Sequence, residues 1–249
     1  MLTEPVLSIL HAGRQAHVGV TTDNAPHVTP VLYAPTDVGI AFPTAASTLK
    51  GRKIRKGHAV GVAVRWQGKA VVFRGDAYVV DPFDMASIVR RVPEIAKATA
   101  SFTARNGVDL AGFARDAFSG RLPRKRLDRR LFVFVTAGEV HVLEGLPSEG
   151  GVEAVVALGD IVVPARWDAE AQQATVLTES LRGWAGGPAA VVVDEYVRPG
   201  PAAKKGLLLR GTATVEAVED DSRVSRLTFD TEKIAAWANA ETASVKVDE

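Results

Sequence analysis

The chain has 249 residues, 47% apolar and 24% charged, so it is neither a disordered polyelectrolyte nor a collagenous or low-complexity repeat, and it can form one large domain or two ordinary ones. Thirty basic side chains balance twenty-nine acidic ones, which leaves no global field to draw the protein onto nucleic acid or anionic lipid. The lack of cysteine removes disulfides, thiolate metal sites, iron–sulfur clusters and cysteine nucleophiles together. The N-terminal MLTEPVLSILHAGR carries an early Glu4, and its apolar run is broken by His11 and Gly13, unlike a secretory signal. No apolar run approaches the roughly 20 residues of a membrane-spanning helix. The expectation is a cytoplasmic protein with no membrane or nucleic-acid partner.

Thr3 is placed to cap a short helix over 5–12, with Pro5 in its first turn and Gly13 as its stop. The period then changes to that of strands: Val-rich stretches at 15–21, 27–33, 38–42, 59–65 and 70–80, separated by turn chemistry, predict five antiparallel strands. Pro82, Phe83 and Asp84 open a helical pattern with Met85, Ile88, Val89 and Val92 on one face; Pro93 starts or kinks its continuation toward Asn106-Gly107. A second short helix is predicted over 109–118. After the basic stretch 121–130, segments 131–136 and 139–143 predict a final strand pair, and residues 146–151 are the best linker in the chain.

Across that linker the first five strands repeat themselves, displaced by 130 to 136 positions, and the last strand follows at a smaller displacement because the helical block is missing. Val28-Thr29-Pro30-Val31 is echoed by Val162-Val163-Pro164-Ala165, Leu49-Lys50-Gly51 by Leu181-Arg182-Gly183, and Arg74-Gly75-Asp76-Ala77 by Arg210-Gly211-Thr212-Ala213. Arg130-Leu131 leading to Glu139-Val140 matches Arg226-Leu227 leading to Lys233-Ile234. The order never breaks, and the helical block 82–125 has little counterpart in the second copy. Two domains are therefore expected, 1–146 with the insertion 82–125, and 151–249 as a degenerate copy.

The short helix, the strand pair ending Pro26-His27-Val28-Thr29-Pro30-Val31, then Ile40-Ala41-Phe42-Pro43-Thr44, Ser47-Thr48-Leu49-Lys50 and Arg74-Gly75-x-Ala77 carry a resemblance. The first copy resembles the FMN-binding split-barrel superfamily, which includes pyridoxamine 5′-phosphate oxidase-like proteins and flavin/deazaflavin-dependent oxidoreductases. The resemblance implies a mainly β fold of two fused split β-barrels, a pseudo-dimer in one chain, with a flavin-type cofactor in the groove between them. Fusion holds the second barrel beside the first at high effective concentration and lets the copies diverge.

Residues 44–56 offer three hydroxyls and five positive charges just after a strand, which suits a phosphate dianion. By resemblance Thr44, Ser47 and Lys50 would hold the phosphate, with Arg52 and Lys53 beside them, while Arg55 and Lys56 read as a solvated face. The matching stretch of the second copy retains one cation, Arg182, and places Glu179 between Thr178 and Ser180, so one working site per chain is expected. Thr29, Pro30 and Val31 would line the cofactor ring, and Trp184, Tyr196 and Arg210 of the second copy would close the pocket. No acid–base pair, catalytic residue or metal-ligand spacing is visible.

The expected activity is hydride transfer to or from a small conjugated organic substrate, with FMN or the deazaflavin coenzyme F420 as cofactor. Arginine makes up 20 of the 30 basic residues, and the basic loops suit a polyanionic tail; both lean toward F420. Two alternatives stand beside it: a haem-binding or haem-degrading split barrel, with His17, His27, His58 or His141 as axial ligand, and a non-catalytic cofactor carrier. The assembly is expected to be a monomeric pseudo-dimer or a homodimer.

Overall fold

The computed structural model describes residues 1–22, 25–57, 59–81, 92–119, 130–196, 204–218, 221–238 and 241–247, with Tyr196 described in its backbone alone. Alternating valines and alanines build two seven-stranded antiparallel sheets. The first contains β1 (Ala16–Thr21), β2 (Pro26–Val31), β3 (Ala34–Thr36), β4 (Gly39–Ala45), β5 (Val60–Trp66), β6 (Lys69–Val80) and β7 (Arg130–Glu144), in the order β2-β1-β5-β6-β7-β4-β3. The second contains β8 (Val152–Leu158), β9 (Ile161–Asp168), β10 (Gln173–Leu177), β11 (Gly186–Tyr196), β12 (Lys204–Ala217), β13 (Val224–Ala238) and β14 (Glu241–Lys246), in the order β10-β9-β8-β11-β12-β13-β14.

Matching β1, β2, β4, β5, β6 and β7 to β8, β9, β10, β11, β12 and β13 superimposes the two strand orders, as the sequence repeat requires. They differ at one seam. In the second sheet β10 pairs with both β9 and β13 and closes a six-stranded barrel. In the first, β4 pairs with β7, but no ladder joins β4 to β2 among the described residues, so the sheet curls without closing.

The Arg-Gly-x-Ala echo has a steric cause. At both sites the ladder slips, between Phe73 and Gly75 against β7 and between Arg210 and Gly211 against β13. A Cβ on Gly75 would lie 2.3 Å from the Thr136 carbonyl oxygen, and one on Gly211 1.8 Å from that of Asp230. Each bulge therefore needs glycine.

Among the described residues three helices accompany the first sheet: α1 (Glu4–Ala12), α2 (Leu49–Arg55) and α3 (Val92–Phe118). The predicted break at 106–107 is a kink in α3, where Asn106 leaves helical geometry at φ −108°, ψ 18°. The kink is an anchor. Asn106 Nδ2 donates to the Tyr33 and Phe102 carbonyls at 3.1 and 3.0 Å, and the Arg105 guanidinium lies 4.7 Å over the Tyr33 ring while Nη1 donates to His11 O at 2.6 Å. Arg105 thus places its charge at the C-terminal end of α1, where carbonyls lack helical partners. Buried Tyr33 donates to Leu10 O and Gly13 O at 2.6 and 2.9 Å.

Two expectations are corrected. Six strands, not five, precede residue 81, because the chain reverses after Val31 and pairs 34–36 with β4. The predicted strand pair 131–136 and 139–143 is the single strand β7; the interruption between its halves is a bulge in β7, where Gly138 and Glu139 together face Arg74 of β6. The helical start at 82–91 and the basic stretch 121–129 lie outside the described residues.

Three of the four buried clusters among the described residues follow from the alternation. Val18, Val62, Phe42 and Val133 belong to the interior of the first sheet, and Val156, Val163, Trp167 and Leu227 to that of the second. The third joins the halves: Val28, Ala63 and Val72 with Val155, Val162 and Val192. The packing is reciprocal, since β2 meets β8, β11 and β12 while β9 meets β1, β5 and β6. That exchange is the signature of a pseudo-twofold interface within one chain. At its edge Gln15 Nε2 and His17 Nε2 donate to Asp194 at 2.6 and 2.7 Å.

Candidate functional site

The open seam of the first sheet is filled by a side chain. Thr48 caps α2, its Oγ1 accepting from Gly51 N at 3.0 Å, which sets the helix against the end of β4 and turns Lys50 inward. Lys50 is 7% exposed; its Nζ donates to Thr29 Oγ1 on β2 at 3.0 Å and sits 5.3 Å from the centroid of the Phe42 ring on β4. It bridges the strands that the second barrel zips together directly.

His27 lies two residues before Thr29 on β2, hence on the same face, and its Nδ1 accepts a hydrogen bond from Arg210 of β12. Burial pushes the His27 imidazole down to about 3, with Arg210 and Lys50 adding to the shift, so the ring is neutral and its Nδ1 free to accept. Burial likewise pushes the Lys50 ammonium down to about 7, reinforced by Arg130, and lowers Arg210. Arg210 Nε is buried without a hydrogen-bond partner. Among the described residues no carboxylate pairs with Lys50, His27 or Arg210. The cluster is cationic, partly desolvated and built from both halves, the electrostatic setting that an anion completes.

The structure brings Thr29, Lys50 and Arg210 together and adds His27, which the sequence suggests through its i, i+2 relation to Thr29. Val31 belongs to the first interior and Pro30 is half-buried beside it. Thr44 is buried, its hydroxyl 3.2 Å from that of Thr48. Ser47 and Arg52 are exposed and bonded to each other, Arg52 Nη1 to Ser47 O at 2.8 Å; Lys53 is half-buried. Trp184 packs against the second interior. His58 and the Tyr196 side chain lie outside the described residues. His17 and His27 do not meet: His17 is opposite Pro30 in the β1–β2 ladder, three residues from His27, which puts the two rings on opposite faces.

No protein-family model matches the chain, and no curated protein matches it. Solved structures do resemble it. A FAD-binding protein from Mesorhizobium loti is 18% identical, with 57% of this chain and 94% of that one covered at a TM-score of 0.36. An F420 reductase is 18% identical (56% and 98% covered, TM-score 0.38), and the haem storage protein HutZ from Vibrio cholerae is 11% identical (58% and 95% covered, TM-score 0.38). The chain itself consists of two sheets of matching strand order, one closed into a barrel and one open.

Proposed function

We propose that the chain is an oxidoreductase of tandem split-barrel form, divided at 146–151 into domains 1–146 and 151–249, that binds one FMN or coenzyme F420 in the groove between its halves. The observation that carries the reading is the carboxylate-free cluster of Lys50, His27 and Arg210 in the open seam. These residues fit the anionic part of such a cofactor: Arg210 Nε has a donor to spare, and Lys50, held near neutrality, takes up a proton when an anion arrives. Among the described residues β2 pairs with β1 on one side only, so its outer edge, at alternate residues, leaves backbone groups for a ring.

When bound, the cofactor supplies the hydride chemistry. The chain's own part is to bind the anion, fix the ring against β2, and exclude water through the apolar cluster shared by the halves. The substrate class is a small conjugated organic molecule, and F420 is favoured slightly because a polyanionic tail suits the basic loops. The described histidines do not favour haem: the His17 Nε2 is committed to Asp194, the His27 Nδ1 to Arg210, and the exposed His141 donates to Glu139 at 2.9 Å.

Titration of FMN and F420, followed by their visible absorption, tests the reading. Wild type is expected to bind one of them, and Lys50→Ala and Arg210→Ala at least tenfold more weakly. Equal affinity of wild type and both variants removes the seam from the site, and a Soret band on adding haem, with no response to either flavin, replaces the reading by the haem one.

A further inference from the structure

The pseudo-twofold axis that makes the seam also makes a second groove. Lys50 corresponds to Arg182, Arg210 to Arg74, and His27 to Ile161 by the repeat. Arg74, Arg182 and Ile161 do line one small cavity of about 140 Å³, together with Val72, Glu139 and Asp160. Two cations thus survive there, yet the electrostatics are inverted. Arg74 Nε lies 2.7 Å from Asp160 Oδ2, and Arg182 Nη1 lies 3.3 Å from Glu139 Oε2.

Neither carboxylate has an acidic counterpart in the first groove. Phe73 faces Val140 across the β6–β7 ladder as Leu209 faces Ile234 across β12–β13, so Glu139 matches Lys233 in register, a charge reversal. Asp160 precedes Ile161 as Pro26 precedes His27, a charge deletion. Two positions therefore separate a groove whose cations lack carboxylates from one whose cations are neutralised in place.

We propose that the second groove is an anion site of the same design held shut by its own carboxylates, Glu139 and Asp160, which stand where a ligand's anion would otherwise sit. The conclusion that the chain carries one ligand instead of two rests on the proposed function; the shut groove itself does not. Asp160 is the nearer plug, its side chain 29% exposed against 68% for Glu139. The Glu139 carboxylate is held below its usual range by the hydrogen bond from His141 and by Arg182, so it remains charged through neutral pH.

Glu139→Gln with Asp160→Asn keeps side-chain size and an accepting oxygen while removing both charges. In calorimetric titration with inorganic pyrophosphate at low ionic strength, the double variant is expected to bind one more equivalent than wild type. Arg182→Ala on that background is expected to abolish the added site. Equal stoichiometry in wild type and a folded double variant overturns the proposal. Should the double variant unfold, the single change Asp160→Asn, which removes the nearer plug, decides: it is expected to add a weaker pyrophosphate equivalent that wild type lacks, and an isotherm unchanged from wild type overturns the proposal. FMN and F420 titrated in parallel against wild type separate the two ideas, because failure to bind either refutes the cofactor reading and leaves the pyrophosphate comparison intact.

Discussion

Replacing Lys50 by methionine isolates the electrostatic burden of the seam. Methionine keeps most of the side-chain length and apolar volume but has no amine to desolvate. In the native protein burial holds the Lys50 ammonium down to about 7, against 10.5 for the free group. Between those values the unfolded chain binds the proton and the folded chain does not, so wild-type stability rises with pH across the window from about 7 to 10.5. The shift corresponds to about 5 kcal/mol of destabilisation carried in full below pH 7. Against it stands the hydrogen bond to Thr29, worth about 1 kcal/mol. Lys50→Met is therefore expected to be more stable than wild type by on the order of 3–4 kcal/mol at pH 6 and less stable by about 1 kcal/mol near pH 10.5. Urea unfolding followed by tryptophan fluorescence at half-unit pH steps reads this crossing. A variant whose stability runs parallel to wild type from pH 6 to 10.5 refutes the buried-amine reasoning.

If an anion binds beside Lys50, it favours the charged amine, so binding near pH 8 is expected to take up a fraction of a proton and affinity to fall as pH rises above about 7. Calorimetry in buffers of different ionisation enthalpy measures the uptake; a buffer-independent enthalpy counts against Lys50 as the contact. Tyr33→Phe removes the hydroxyl bonded to Leu10 O and Gly13 O and is expected to cost about 2 kcal/mol in a denaturant titration. Gly211→Ala drives a Cβ into the Asp230 carbonyl and is expected to cost at least about 2 kcal/mol, whereas Gly68→Ala, with open space around its Cβ but a left-handed backbone, is expected to cost roughly 1 kcal/mol. Equal melting temperatures for those two alanine variants would remove close approach as the reason for the repeated Arg-Gly.

Most of the strands and the repeat were legible because both are carried by local pattern. Alternating valines mark which face of a strand is buried, and the Arg-Gly pair beside the ladder slip recurs in both copies. The loss of cations in the second copy is likewise visible in its residues 178–187. The seam could not be read in the same way. Lys50 sits in a run of basic residues resembling a solvated face, and the difference between Lys50 and Arg52 is two positions on a short helix whose direction is set by the Thr48 cap and the end of β4. His27 and Arg210 are 183 residues apart, and no period connects them.

The sequence by itself determined the alternation, the turns, the two copies and the neutral overall charge, since each depends on residues near one another along the chain. Tertiary structure decided that one barrel closes on itself while the other leaves a seam for Lys50, that β7 is one strand, and that the carboxylates of one groove have no equivalent in the other. Those outcomes depend on which distant strands meet and at what register, and a one-residue difference in register exchanges the buried face of a strand for the other.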